Sequence, residues 1–448
     1  MFDKTYHENR SLIIWIDQRI DNNENQKYLK KLRGDNDETS HTFDNSSNYI
    51  YTYKDLKTAI NFIKTLRFEE TIIIVSGSFF VEFIDVFKKN INDIYIIPKI
   101  IVFTSKGRKF PDDIMKNEKF YYYGGIKTSF GEIKYFIDIQ KKKQDKNVTF
   151  PVEKNQITQY NKNPQFVLIE REKDLILPSV YKKIIDLSET KNNIQFIQNM
   201  YIKYKDNPQY NYLLNPIVTN QNIPIELLSK YYARMYTIQG DFYQTINNDL
   251  KTDYNSNNLI YQPYIKTLYE GVKKGALKTC IGTELYSSLL LSEYEIQDLM
   301  NYSQRRNAYK PIIFSKSFIS FSKDIYMVET FAKNVKKNTM LTIIKMNTEN
   351  DLNTHADMEM ISPFKEKEVL FFPFSAFEIA DMEYDKMNDR YNIKLIYLGI
   401  INNFKMDKKV DMEYLKTLME KTGVIKIDNL TKKDLLSKND SGCCLCCC

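Results

Sequence analysis

Residues 366–379 read EKEVLFFPFSAFEI, two glutamates around a lysine followed directly by a dense apolar run. In a strand alternate residues share a face, so Glu366 and Glu368 are expected to point the same way, roughly 7 Å apart along the chain. Lys367 would then point the other way and could not neutralise both. Two carboxylates on one face repel and raise one another's pKa, an arrangement tolerated where a cationic partner or transition state arrives. Upstream, residues 315–324 read SKSFISFSKD. As one strand, this run would present Ser315, Ser317, Phe318, Ser320, Phe321 and Ser322 as alternating hydroxyls and rings. A hydroxyl can orient a carboxylate, and a ring can stack on a flat heterocycle. Taken singly, each segment is equally a polar strand end with solvated side chains.

The chain has 448 residues, enough for two or three domains, with 43% hydrophobic and 27% charged residues. Its net charge of +7, from 64 basic and 57 acidic residues, is spread along the length rather than gathered in a stripe. That argues against a nucleic-acid partner. Only 13 glycines occur, and neither GxGxxG nor GxxxxGK[ST] is among the motifs. A bound nucleotide would therefore not sit in a glycine-rich phosphate loop. Of six cysteines, Cys280 is internal and five end the chain as CCLCCC. No signal-like segment opens the chain, and no run approaches the roughly 18 apolar residues that span a bilayer. A cytoplasmic protein is expected.

Residues 1–140 alternate apolar strands with amphipathic helices. SLIIWID (11–17) is a buried strand ending in Asp17, and TYKDLKTAINFIKTL (52–66) is a helix starting at Thr52 and Asp55. TIIIVSG, FFVEFIDVFKKNI, IPKIIVFTSK, KFYYYGG and FGEIKYFIDI continue the series. Continuous Ile/Val strands between helices predict a doubly wound parallel sheet, an α/β domain covered on both faces. Residues 141–177 read as a polar linker. A second domain, α+β with mostly antiparallel strands, is expected over 178–405, helical to 280 and strand-rich from 281. A helix within it is marked by a Ser292/Glu295 capping box and a Leu291/Ile296 staple. Residues 406–448 form a tail.

The N-terminal pattern resembles the receiver (CheY-like) domain, with Asp17 after the first strand and Thr104 and Lys106 after the fourth. Ser76 stands where that family's phospho-acceptor aspartate would be. The segments FISFS (318–322) and EKEVLFFPFSAFEI, with YYARMYTIQGDFYQTINNDL (231–250) and LYEGVKKGALK (268–278), resemble the arginine-modifying mono-ADP-ribosyltransferases built on an R-S-E signature. The resemblance covers about 200–400 and implies two packed, mostly antiparallel sheets. It implies NAD as substrate, with no metal and a protein acceptor bearing an accessible arginine. Glu368 would hold the ribose and steady the developing cation, Glu366 would serve the guanidinium, Ser320 would orient Glu368, and Ser322 would support the site. Phe318 or Phe321 would stack near nicotinamide. ELYSSLLLSEYEI (284–296) aligns with the family's arginine-bearing strand and puts Tyr286 and Ser287 there, with Ser287 at the arginine position. Serine lacks the charge and fork of arginine, so Arg305, Arg306 or a nearby lysine would have to substitute. NAD glycohydrolysis or a catalytically degenerate scaffold of the same fold are the alternatives. His355, a lone histidine, is read as structural. Cys443, Cys444, Cys446, Cys447 and Cys448 fit lipid attachment, the last two as a prenylation pair and the others as palmitoylation sites, which would tether the chain to a membrane.

Overall fold

The computed structural model describes residues 12–33, 49–66, 71–95, 99–105, 107–112, 114, 124–145, 166–169, 191–218, 223–238, 241–251, 260–291, 296–297, 299–301, 312–333, 340–347, 354–362 and 366–400. Its first part runs β1 (Leu12–Ile16), α1 (Asn23–Arg33), β2 (Tyr49–Tyr53), α2 (Leu56–Ile63), β3 (Thr71–Ser76), α3 (Phe80–Lys89), β4 (Lys99–Phe103), β5 (Gly125–Lys127) and α4 (Phe130–Asp145). The five strands are all parallel, in the order β2-β1-β3-β4-β5. This is the doubly wound sheet expected from the sequence. β1 shows why both faces are covered: Ile14 and Ile16 pack with α2 and α3, whereas Ile13 and Trp15 pack with α1 and α4. β3 is buried at every position, as a central parallel strand must be.

Three local expectations change. α1 and β2 were not foreseen. The helix placed from Thr52 begins at Leu56, because Asp55 caps it by accepting from the Thr58 amide at 2.8 Å, and Thr52 lies in β2. The last strand is Gly125–Lys127 rather than KFYYYGG, of which residues 119–123 lie outside the described residues, as does Lys106. The Asp17 carboxylate is used locally, accepting from the Arg19 amide at 2.8 Å and from Asn25 Nδ2 at 3.2 Å. The hydroxyls of Ser76 and Ser78 bond to each other.

The expected linker contains ordered structure: α4 runs to Asp145, and Phe166–Ile169 forms β6. A helical layer follows, made of α5 (Lys191–Tyr204), α6 (Pro208–Val218), α7 (Ile225–Thr237), α8 (Asp241–Lys251) and α9 (Gln262–Lys273). The strand-rich part holds β7 (Glu284–Leu291), β8 (Ile312–Ser315), β9 (Ile319–Ser322), α10 (Ile325–Lys333), β10 (Met340–Asn347), β11 (His355–Asp357), β12 (Glu368–Phe371), β13 (Ser375–Asp385) and β14 (Arg390–Ile400). Ser292 and Glu295 lie outside the described residues.

The strand order is β11-β12-β9-β7-β10-β14-β13-β8-β6, antiparallel except for β10 with β14. A single residue pair, Tyr286 with Ser322, joins β9 to β7. The strands therefore form a three-stranded part and a six-stranded part. Ile319, Phe321, Val369 and Phe371 from the first share one apolar cluster with Leu285, Ile313, Phe377 and Leu395 from the second. The run SKSFISFSKD is accordingly not one strand. Only Ser315 of it belongs to β8, where it pairs with β6, while Ile319–Ser322 form β9 and pair with β12; the chain crosses between the two parts at Lys316–Phe318. The glutamate run crosses alongside at Phe372–Phe374, where the Phe374 amide donates to the Ser315 carbonyl at 2.7 Å.

One continuous apolar cluster joins the α2/α3 face of the parallel sheet to α5–α9. α7 and α9 approach so closely that a Cβ on Gly271 would lie 2.3 Å from Ser229 Cβ. Among the described residues, no helix is long and apolar enough to cross a membrane. Gly271→Ala is expected to force these helices apart and cost about 1–3 kcal/mol, read as a lowered thermal midpoint; an unchanged midpoint would refute the close approach.

Candidate active site

The cavity begins with the alternation of two short strands. In β9, Ile319 and Phe321 enter the inter-sheet core, which turns Ser320 and Ser322 to the opposite face. In β12, Val369 and Phe371 enter the same core and turn Glu368 the other way. Register then sets Glu368 opposite Ser322 and Leu370 opposite Ser320. Ser320 Oγ donates to Glu368 Oε1 at 2.7 Å, and Ser322 Oγ donates to the Glu366 carbonyl at 2.7 Å. Ser287 Oγ donates to the Ser320 carbonyl at 2.7 Å, so its hydroxyl is committed to the neighbouring strand.

The expected alternation of Glu366 and Glu368 within one strand is not what aligns them. β12 starts at Glu368, and Lys367 adopts a left-handed backbone with φ of 49°. Glu366 therefore lies before the strand, and the kink at Lys367 brings it to the same cavity wall. Three contacts hold the kink to the end of β9. The Lys323 amide donates to the Lys367 carbonyl at 3.2 Å, and Lys367 Nζ pairs with Asp324 at 3.1 Å. The Ser322 hydroxyl contact to Glu366 is the third. Lys323 itself pairs with Asp357 and Glu359. Lys367 and Lys323 are thus directed to other acids.

Glu366 and Glu368 open into a cavity of about 450 Å³. Ser320, Ser322, Phe318, Phe321, Tyr286 and Ser287, named from the sequence, line it as well. Phe318 and Phe321 are almost wholly buried: Phe318 packs 4.9 Å from the Tyr236 ring, and Phe321 packs 5.1 Å from Phe371. The Tyr286 hydroxyl donates to Glu284, whose carboxylate pushes it up to about 12.

The opposite wall was not foreseen. Tyr236, Thr237 and Ile238 at the end of α7, and Tyr243, Asn247 and Lys251 on α8, complete the lining. Asn247 joins the two walls: its Nδ2 donates to the Tyr236 hydroxyl at 2.8 Å, and its Oδ1 accepts from the Phe318 amide at 3.1 Å. The signal was present in the sequence. Phe242, Ile246 and Leu250 form the buried row of α8, so Tyr243, Asn247 and Lys251 form the next row at the same four-residue spacing. Lys251 brings a cationic side chain to the lining. Arg305, Arg306 and the five terminal cysteines lie outside the described residues.

Burial pushes Glu368 up from 4.5 to about 7; the Ser320 hydroxyl opposes this, and the Glu366 charge adds to it. Burial raises Glu366 too. His355 is used structurally, stacked on Phe371 at 4.9 Å with Nε2 3.0 Å from the Cys280 backbone. Among the described residues, no group of three or more His, Cys, Asp or Glu is arranged to hold a metal.

Glu368 fixes a stability signature. Between pH 4.5 and about 7 the unfolded carboxylate has lost its proton while the folded one keeps it. Stability from this group is complete below that window and falls as pH rises through it. Glu368→Gln stays neutral, so it should match wild type closely near pH 4.5 and exceed it by roughly 3 kcal/mol at pH 8. Denaturant titrations at both pH values test this, and an equal difference at the two would refute it.

No family model and no curated protein matches the chain. Several solved structures match it in part, ADP-ribosyltransferases among them. The Vis toxin of Vibrio splendidus is 17% identical, with 48% of this chain and 89% of that one covered at a TM-score of 0.28. The C3 exoenzyme of Clostridium limosum is 19% identical over 38% of this chain and 84% of its own, at 0.29. HopU1 of Pseudomonas syringae is 14% identical over 47% and 96%, at 0.30.

Proposed function

We propose that the chain is a mono-ADP-ribosyltransferase that moves ADP-ribose from NAD to arginine side chains of a protein, releasing nicotinamide. The observation that carries this reading is Glu368, a buried carboxylate held by Ser320 with a second carboxylate, Glu366, on the same cavity wall. A buried carboxylate without a cation is costly, and an oxocarbenium-like ribose supplies the missing charge in the transition state. The bond between nicotinamide and ribose breaks, the electron pair leaves with nicotinamide, and C1′ becomes cationic beside Glu368. Glu366, half-buried at the wall, accepts from the incoming guanidinium and takes its proton as the new C–N bond forms. Hydrolysis of NAD would need only Glu368, so the second carboxylate favours transfer over glycohydrolysis. Lys251 serves as the cation for the NAD phosphates, in place of the arginine for which Ser287 stands. As a point charge it attracts phosphate without the fork of arginine. The five terminal cysteines carry lipid and hold the enzyme at a membrane; hydroxylamine should release thioester-linked acyl chains and leave thioether prenyl groups attached. Membrane association in cells that is unchanged when all five become serine would refute the tether.

The enzymatic reading is tested with labelled NAD and a small guanidinium acceptor. Glu368→Gln should lower both nicotinamide release and transfer on the order of 10²–10³ fold, as loss of one transition-state charge contact does. Glu366→Gln should lose transfer while keeping most nicotinamide release. Because the carboxylate form of Glu368 is the active one, wild-type kcat/KM should rise as pH passes about 7. Equal transfer by wild type and Glu368→Gln would sink the proposal.

A further inference from the structure

α7 touches three parts of the molecule in succession. Lys230 is 1% exposed and donates to the carbonyls of Ile91 at 2.7 Å, Asn92 at 3.1 Å and Ile94 at 2.6 Å. These carbonyls belong to the turn that follows α3 in the parallel-sheet part. The ammonium also lies 4.5 Å from the Tyr95 ring. All three protons of one lysine are thus spent across the boundary with the parallel-sheet part. Four residues on, Arg234 Nη1 donates to the Ile361 carbonyl at 2.8 Å, in the segment that leads to Glu366. At the end of the helix, Tyr236, Thr237 and Ile238 line the cavity. Two further contacts close the same seam: Asn92 Nδ2 donates to the Lys274 carbonyl at 3.0 Å, and Lys278 pairs with Asp93 at 3.3 Å.

Apolar packing alone would hold two parts together at this boundary, and the shared cluster already provides it. A buried lysine adds direction. Unlike an apolar contact, its three hydrogen bonds fix how α7 is rotated and translated against the turn 91–95. A lysine left without those acceptors would be a costly buried charge. Lys230 and Arg234 lie on one face of the helix at i and i+4. A shift of the turn is therefore passed through a rigid helix to Arg234 and Tyr236, within about 9 Å along the axis.

We propose that Lys230 is a positioning residue through which the parallel-sheet part sets the shape of the cavity. Docking of the turn 91–95 on α7 holds Tyr236 and the Glu366 segment in place, and whatever displaces that turn loosens both. The parallel sheet is thereby a control element of the cavity rather than an appended module. Its activity readout rests on the proposed NAD chemistry; its structural readouts do not.

The full chain carries one tryptophan, Trp15, buried in β1, which reports on the parallel sheet alone. In wild type, unfolding followed by Trp15 fluorescence should coincide with unfolding followed by far-ultraviolet circular dichroism. Lys230→Met keeps the length of the side chain and removes its donors. It should separate the two transitions and lower hydrogen-exchange protection of the amides of 234–238. KM for NAD should rise at least about fivefold, the lower end of ordinary coupling between sites, with kcat near wild type. Should Lys230→Met fail to fold, the double variant Asn92→Ala/Lys278→Ala weakens the same seam from partly exposed positions and should move these readouts in the same direction. Unchanged protection of 234–238 in a folded variant overturns the coupling, whatever the NAD assays show. If wild type turns over no NAD, the function proposed above fails, and the exchange measurement still decides this one.

Discussion

Everything around the cavity depends on keeping one carboxylate out of water. Among the described residues Glu368 receives one side-chain hydrogen bond, from Ser320, and its neighbour Glu366 makes ionisation harder rather than easier. Such a group persists only on a scaffold that leaves it no alternative position. β9 and β12 supply that scaffold because the residues on their other face, Ile319, Phe321, Val369 and Phe371, are locked into the inter-sheet core. A one-residue slip of β12 would drive Glu368 into that core, and one of β9 would drive Ser320 and Ser322 into it, so the register is strongly fixed.

The same economy explains the lysines. A cation beside Glu368 would neutralise it and remove the need for a substrate charge. Lys367, next to it in sequence, is turned aside by its left-handed backbone and held by Asp324, while Lys323 is held by Asp357 and Glu359. A left-handed lysine costs roughly 1–2 kcal/mol. That strain is offset by the contacts holding the kink to β9, and its effect is to place Glu366 on the cavity wall without a second strand residue.

Much of the fold was legible because burial writes itself into composition. The Ile/Val runs of β1, β3 and β4 are covered on both faces and could be read directly. α1 and β2 could not. α1 buries only Asn25, Leu29 and Leu32, and β2 is an edge strand exposed at most positions, so neither carries an apolar period. The glutamate segment was legible in its residues but not in its geometry, since the kink at Lys367 depends on contacts from residues more than forty positions away. The runs 315–324 and 366–379 each read as one continuous strand. Tertiary pairing divides both at the crossing, and that pairing is not encoded in periodicity. The α8 row went unread because its polar residues, Tyr243, Asn247 and Lys251, look like an ordinary solvated face until a second wall is set against them.

That second wall changes the electrostatic character of the cavity. Strand β7 offers hydroxyls at Tyr286, Ser287 and Ser288, and Ser287 is already bonded to the Ser320 carbonyl. Positive charge enters from the helical side, at Lys251. A cavity lined by a cation from the helices and two carboxylates from the strand side suits a ligand that carries an anionic group and becomes cationic at its reacting centre. Because the cation is carried on α8, and Asn247 of that helix is bonded to both Tyr236 and the Phe318 amide, the charge is aligned through helix packing rather than strand register. The carboxylate wall is set by β9 and β12, and the cationic wall by α7 and α8. The spacing between them is therefore a property of how the helical layer seats on the sheets, and a change in that seating alters the cavity without touching either glutamate.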